Sequence, residues 1–220
     1  MVKDVDLMVS QIKADAAKLG FSTDRLILWG ESAGAHLVSL YAYDERTPAQ
    51  MGLGLKHELS VKVVLNMAGP VDLSSEPSVA AWKACGSIGL QSADPGLGAA
   101  QVISKLLAKG RDEELYSVDK LVTAGATPTV LDYNKLSSTA GTAYPSDTVI
   151  PYQQYELLSA ALADAGVPVR SQVNNLSHGL EYGTTLWALN AADELMNEGA
   201  AKLTVVETDD GFEVSGNEAA

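Results

Sequence analysis

Ser32, Asp147 and His178 are the residues of this chain whose types and settings could do chemistry together. Ser32 stands at the centre of Gly30-Glu31-Ser32-Ala33-Gly34, a GxSxG pentapeptide. A serine hydroxyl is a weak nucleophile until a neighbouring base takes its proton, and an imidazole suits that task near neutral pH. A carboxylate can then hold the imidazole's tautomer and stabilise the charge it gains. The chemistry would be acyl transfer. Ser32 attacks a carbonyl, His178 takes the hydroxyl proton and later returns it to the leaving group, and Asp147 orients the ring. The backbone N–H of Ala33, at the positive end of a new helix, would donate to the oxyanion that forms.

A GxSxG pentapeptide arises easily in a chain with 19 glycines, so its setting decides its meaning. Arg25 to Trp29 is a short apolar run of the kind a strand buried on both faces shows. After the pentapeptide, Ala35, Leu37, Val38, Leu40 and Tyr41 continue at helical spacing. Ser32 therefore falls on a tight turn between strand and helix, where close backbones favour glycine neighbours.

The elements around it alternate. Residues 4–19 read as an amphipathic helix with Val5, Met8, Ile12, Ala16 and Leu19 inward and Asp6, Ser10, Lys13 and Lys18 outward, ended by Gly20. Val61 to Met67 is a second strand and Thr127 to Leu131 a third. A polar loop, 137–146, leads to Asp147, and Pro151 opens a helix that stops at Gly166. Val167 to Val173 is the fourth strand, with Ser177-His178-Gly179 shortly beyond it and a last helix over 184–198. Between the second and third strands, about 74–122 is an irregular insertion, read as a cap or a solvated excursion, with a helical piece near 100–109. Helix and strand in alternation predict an α/β fold with a mostly parallel sheet. The acidic end, 201–220, reads as a hairpin turning at Asp210-Gly211 or as a frayed tail.

Each candidate has a rival. Asp132, at the end of the third strand, is a second candidate acid. His36, one turn into the helix after Ser32, reads as a packed structural residue, and Glu31 as a local hydrogen-bonding group.

Composition narrows the function classes. A formal net charge of −13, with 15 Lys and Arg against 28 Asp and Glu, argues against nucleic acid or an anionic membrane as partner. No apolar run approaches a membrane span and the first twenty residues do not resemble a secretory leader, so a cytoplasmic location is expected. One cysteine, Cys85, excludes an internal disulfide and reads as a small buried hydrophobe. The three histidines have no metal-ligand spacing, Gly52-Leu53-Gly54 lacks the setting of a nucleotide loop, and the chemistry calls for no cofactor.

The order Ser, Asp, His is the one a single superfamily uses. Residues 1–200 resemble the C-terminal two-thirds of an α/β-hydrolase of the esterase and lipase type related to hormone-sensitive lipase. The resemblance is carried by Lys18 to Arg25, Gly30 to Leu37, Ala68 to Leu73, Asp147 to Pro151, Asp164 to Pro168 and Ser177 to Gly179. It implies Ser32, Asp147 and His178 as the triad and a small-molecule ester as substrate. The Ser32 to Leu37 segment also resembles arylformamidase-like members, which implies an amide as the alternative. The family's other oxyanion donors come from a His-Gly-Gly loop that would precede Met1; none occurs here, and the stretch between Asn134 and Pro145 is longer than the family's glycine turn. The resemblance thus implies a domain over 1–200 without its first strands, leaving the Arg25 to Trp29 strand at an edge. The alternative to an active esterase is an inactive fragment that serves as a binding module or pairs as a homodimer through that edge.

Overall fold

The computed structural model describes residues 1–44, 54–73, 75, 78, 81, 117–135, 150–174 and 182–197, with the backbone of 203–208 and 211–216. Strand β2, Val61–Met67, is buried at every position but Lys62, and β3, Thr129–Asn134, is buried throughout. Strands covered on both faces carry such continuous apolar runs because neither face meets water. They form the centre of a four-stranded parallel sheet in the order β1-β2-β3-β4, with β1, Leu26–Glu31, and β4, Val169–Asn174, at its edges.

Two helical layers cover this sheet. On one face lie α1, Val2–Leu19, α2, Ala33–Asp44, the short α3, Val118–Leu121, and α4, Gln153–Asp164. Their Val9, Leu40, Tyr41, Leu121, Leu158 and Leu162 pack with Leu28, Val64 and Leu131 of the sheet. On the other face, α5, Tyr182–Met196, sets Ala188, Ala191, Ala192 and Leu195 against Val63, Leu65, Met67 and Val130. The alternation of β2 thus divides its side chains between two cores. A separate antiparallel hairpin pairs β5, Leu203–Thr208, with β6, Gly211–Gly216; Gly211 stands in β6 opposite Thr208 rather than in a turn with Asp210.

The predicted elements are present with shifted ends. β3 begins at Thr129 rather than Thr127, and α4 begins at Gln153, two residues after Pro151. Gly20 ends α1 in the left-handed conformation, φ 75°, and its N–H returns to the Ala16 carbonyl. The inward face of α1 differs from the periodicity: Val2, Asp6, Val9 and Ala16 are buried, while Met8 and Leu19 are 52% and 64% exposed. The reason is Asp6. Its carboxylate accepts the N–H groups of Lys56 and His57 and the Tyr41 hydroxyl, a set of bonds that draws a charged residue inward and turns the helix with it. Burial raises the Asp6 pKa, but those bonds and the nearby His57 outweigh it and hold the carboxyl below its ordinary value. Most of the insertion, including the helical piece near 100–109 and Cys85, lies outside the described residues; the short α3 was not foreseen.

Candidate active site

Ser32 is the single residue between β1 and α2, and its backbone lies in the left-handed region, φ 53°. A serine there is strained by about 1–3 kcal/mol, so surrounding contacts must hold it. They do so from β2. The Ser32 N–H donates to the Met67 carbonyl at 2.9 Å, and the Ser32 carbonyl accepts the His36 N–H at 3.2 Å to open the helix. Gly30 is required by space: a Cβ there would lie 2.3 Å from the Gly34 backbone. Gly34 has no such neighbour. The turn is therefore one in which strand and helix pass in contact at Gly30 and the serine is lifted to the carboxyl end of the sheet. Ala33, exposed, heads α2, where helical geometry provides its N–H with no intrahelical acceptor.

The exit of β2 mirrors that of β1. Glu31 pairs with Met67, and the next residue in each strand, Ser32 and Ala68, has positive φ. Ala68 donates its N–H to the Asp132 carbonyl at 2.7 Å, continuing the ladder one step further. Gly69 is confined by Ala35 and Asn66, each within 2.7 Å of a Cβ placed there. Buried Asn66 donates to Ser39 and accepts from the Gly69 N–H, and the single Tyr133 hydroxyl proton is shared between the Gly69 carbonyl at 2.7 Å and Asn66 Oδ1 at 3.0 Å. His36 donates from Nδ1 to the Pro70 carbonyl at 3.0 Å; desolvation pulls its pKa down, opposed by that bond. The acceptor requires the Nδ1–H tautomer. His36 is a structural tie, as its position in the helix predicts.

Asp132 lies within β3, two residues before its end at Asn134 rather than at the strand's end as the sequence predicts, on the face that Val130 and Met67 present to α5. Its oxygens accept Gln172 Nε2 at 2.8 Å and Asn174 Nδ2 at 2.6 Å. Burial pushes its pKa up to about 6, with the two amides opposing. These bonds engage Asp132 in joining β3 to β4. Glu31 is exposed at the end of β1. Asp147 and His178 lie outside the described residues.

Sequence reasoning missed a buried polar network beside the site. Fully buried Gln154, in the first turn of α4, accepts the N–H groups of Val71 and Asp72 and donates to Ser78. The Asp72 carboxylate in turn accepts Ser75 N–H and the hydroxyls of Ser78 and Ser117. A polar residue at a helix start carries no pattern that announces a partner 83 residues away. Among the described residues no three His, Cys, Asp or Glu side chains gather as metal ligands would, and no helix is long and apolar enough to cross a membrane.

Residues 1–107 match the family model described as BD-FAE. Among solved structures, the chain is similar to esterase B from Lactobacillus rhamnosis, with 17% identity, a TM-score of 0.64, and 90% of this chain matched to 61% of that one. A lipase/esterase from Lactobacillus plantarum matches with 17% identity, TM-score 0.59, and 90% of this chain to 65% of that one. One of two fungal esterases from Rhizomucor miehei matches with 17% identity, TM-score 0.58, and 89% to 58%. The chain thus spans less than two-thirds of the length of these structures. A search of curated proteins returns no match.

Proposed function

The chain has the α/β-hydrolase fold, and from that premise we propose that it supplies the catalytic part of a serine hydrolase cleaving carboxylic esters of small molecules through an acyl-enzyme. The observation that carries this reading is Ser32, held at positive φ between a buried strand and a helix by the Met67 carbonyl. In it, Ser32 is the nucleophile, His178 the base that receives and returns the proton, and Asp147 the carboxylate that orients the ring. The N–H of Ala33 donates to the oxyanion of the tetrahedral intermediate. The ester preference follows the esterases that share the fold; an amide is the alternative leaving chemistry.

Incubation with a fluorophosphonate probe is expected to label Ser32 alone, and p-nitrophenyl acetate turnover is expected to fall by at least about a thousandfold in Ser32→Ala. Folded protein that takes no label on Ser32 would point instead to a binding module without turnover.

A further inference from the structure

We propose that β1 is an interface strand, with which a second copy of this chain pairs antiparallel about a twofold axis through Leu28. The proposal concerns the edge of the sheet and stands apart from the chemistry of Ser32.

The two edges of the sheet differ in kind. β4 presents Arg170, Ser171, Gln172 and Asn174, polar and charged positions of the sort by which a terminal strand discourages further pairing. β1 presents Leu26, Ile27, Leu28 and Trp29 in an unbroken apolar run. Among the described residues, the large apolar side chains left exposed are Met1, Leu7, Met8, Leu19, Phe21 and Trp29, between the start of α1 and β1, with Val173 on β4 and Leu189 on α5. Open apolar surface is therefore concentrated on the segment that ends in β1.

Backbone direction makes that edge ready to pair. The Ser32 N–H donates to the Met67 carbonyl of β2. Alternate residues of a parallel strand face one neighbour, so Gly30 and Leu28 turn the same way, and the N–H and C=O groups of Ile27, Trp29 and Glu31 point outward. Among the described residues no strand meets them. An antiparallel partner forms its hydrogen-bonded pairs between such outward residues, a condition met by a twofold axis at Ile27, Leu28 or Trp29.

Charge selects the middle axis. About Leu28, Arg25 stands opposite Glu31 of the second copy and Ile27 opposite Trp29, and symmetry makes each pair twice. About Ile27, Arg25 would oppose Trp29; about Trp29, Glu31 would oppose Ile27; either register sets a charge against an apolar side chain and leaves Arg25 without Glu31. Arg25 and Glu31 are both exposed. Arg25 is steadied by its ion pair with Asp193 of α5 at 3.0 Å, and a guanidinium has more N–H groups than one carboxylate engages.

The test is sedimentation equilibrium of the 220-residue chain and of two charge reversals, Arg25→Glu and Glu31→Arg, alone and mixed. The parent is expected to be a dimer that dissociates on dilution. In either variant alone both ion pairs become like-charge contacts, and the dissociation constant is expected to rise on the order of tenfold to a hundredfold. An equimolar mixture of the two variants opposes unlike charges at both contacts again, and its dissociation constant is expected to return to within about threefold of the parent's. Amide hydrogen exchange of the parent carries the test should a variant not fold: the N–H groups of Ile27, Trp29 and Glu31 are expected to exchange slowly where the dimer forms and faster on dilution, with β4 unchanged. A parent that stays monomeric up to about 0.1 mM, a dimer indifferent to both reversals, a mixture no tighter than its components, or exchange at β1 that ignores concentration overturns the proposal. So does assembly beyond two chains, because a twofold contact closes on itself. Fluorophosphonate labelling of Ser32 is a separate reading, and none of these outcomes decides it.

Discussion

Two buried aspartates show how one residue type takes opposite charge preferences from its partners. Asp6 is surrounded by backbone donors and a phenol, which favour the carboxylate over the effect of burial; Asp132 meets two neutral amides, and burial prevails. The folded pKa of Asp132, about 6, lies above the unfolded value near 4, so its contribution to stability is full below about pH 4 and is lost as pH rises to about 6. Relative to Asp132→Asn, the parent chain should therefore lose on the order of 2–3 kcal/mol between pH 4 and pH 6.5 and little more above, as urea unfolding at several pH values would reveal. A flat difference across that range would mean that folding does not raise the Asp132 pKa. At Gly30 the constraint is steric rather than electrostatic. Gly30→Ala sets a methyl against the Gly34 backbone, and an unfolding free energy lower by about 3 kcal/mol is expected in chemical denaturation.

Elements orient by their polar obligations as well as by their apolar stripe. The turn of α1 toward Asp6 exposes Met8 and Leu19, residues that spacing alone assigns to the core. Loss of a charged acceptor that serves two backbone N–H groups and a hydroxyl should cost about 3 kcal/mol in Asp6→Ala. Because the folded pKa of Asp6 is depressed, that cost is present above about pH 4 and shrinks as pH falls through the folded value. Thermal unfolding of both chains at pH 7 and pH 3 would show convergence at the acid end. The first turn of α4 follows the same logic: its place is set by one amide and a stacked tyrosine pair as much as by Leu158 and Leu162.

At the level of the whole molecule, β2 holds both layers together. Leu65 is fully buried in the α5 core, whereas the ion pairs that also reach α5, Arg25 to Asp193 and Arg170 to Glu194, lie at partly exposed positions. Exposed pairs are worth at most about 1 kcal/mol, while a buried leucine truncated to alanine costs about 2–5 kcal/mol. Leu65→Ala is expected to lower the unfolding free energy severalfold more than Arg170→Ala in parallel denaturant titrations, and near-equal losses would mean that α5 is held by charge rather than by packing. The proposed catalytic constellation would depend on this arrangement, since β1 to β4 bring their carboxyl ends to one rim.

The order of elements, the parallel sheet and the Ser32 turn were legible in the chain because each is a local matter: an apolar run, a glycine where backbones touch, a helical repeat. Val61 to Met67 stands as a strand within the limits its residues indicate, and Gly20 ends its helix where it should. What the residues could not convey is pairing at a distance. Asp6 turning inward, Asp132 engaged by β4, and Gln154 reaching the exit of β2 all depend on partners dozens of residues away, and polar side chains follow no periodicity that would name them. Only the folded chain, which brings those donors and acceptors within three ångströms, decides which polar groups are buried and what they hold in place.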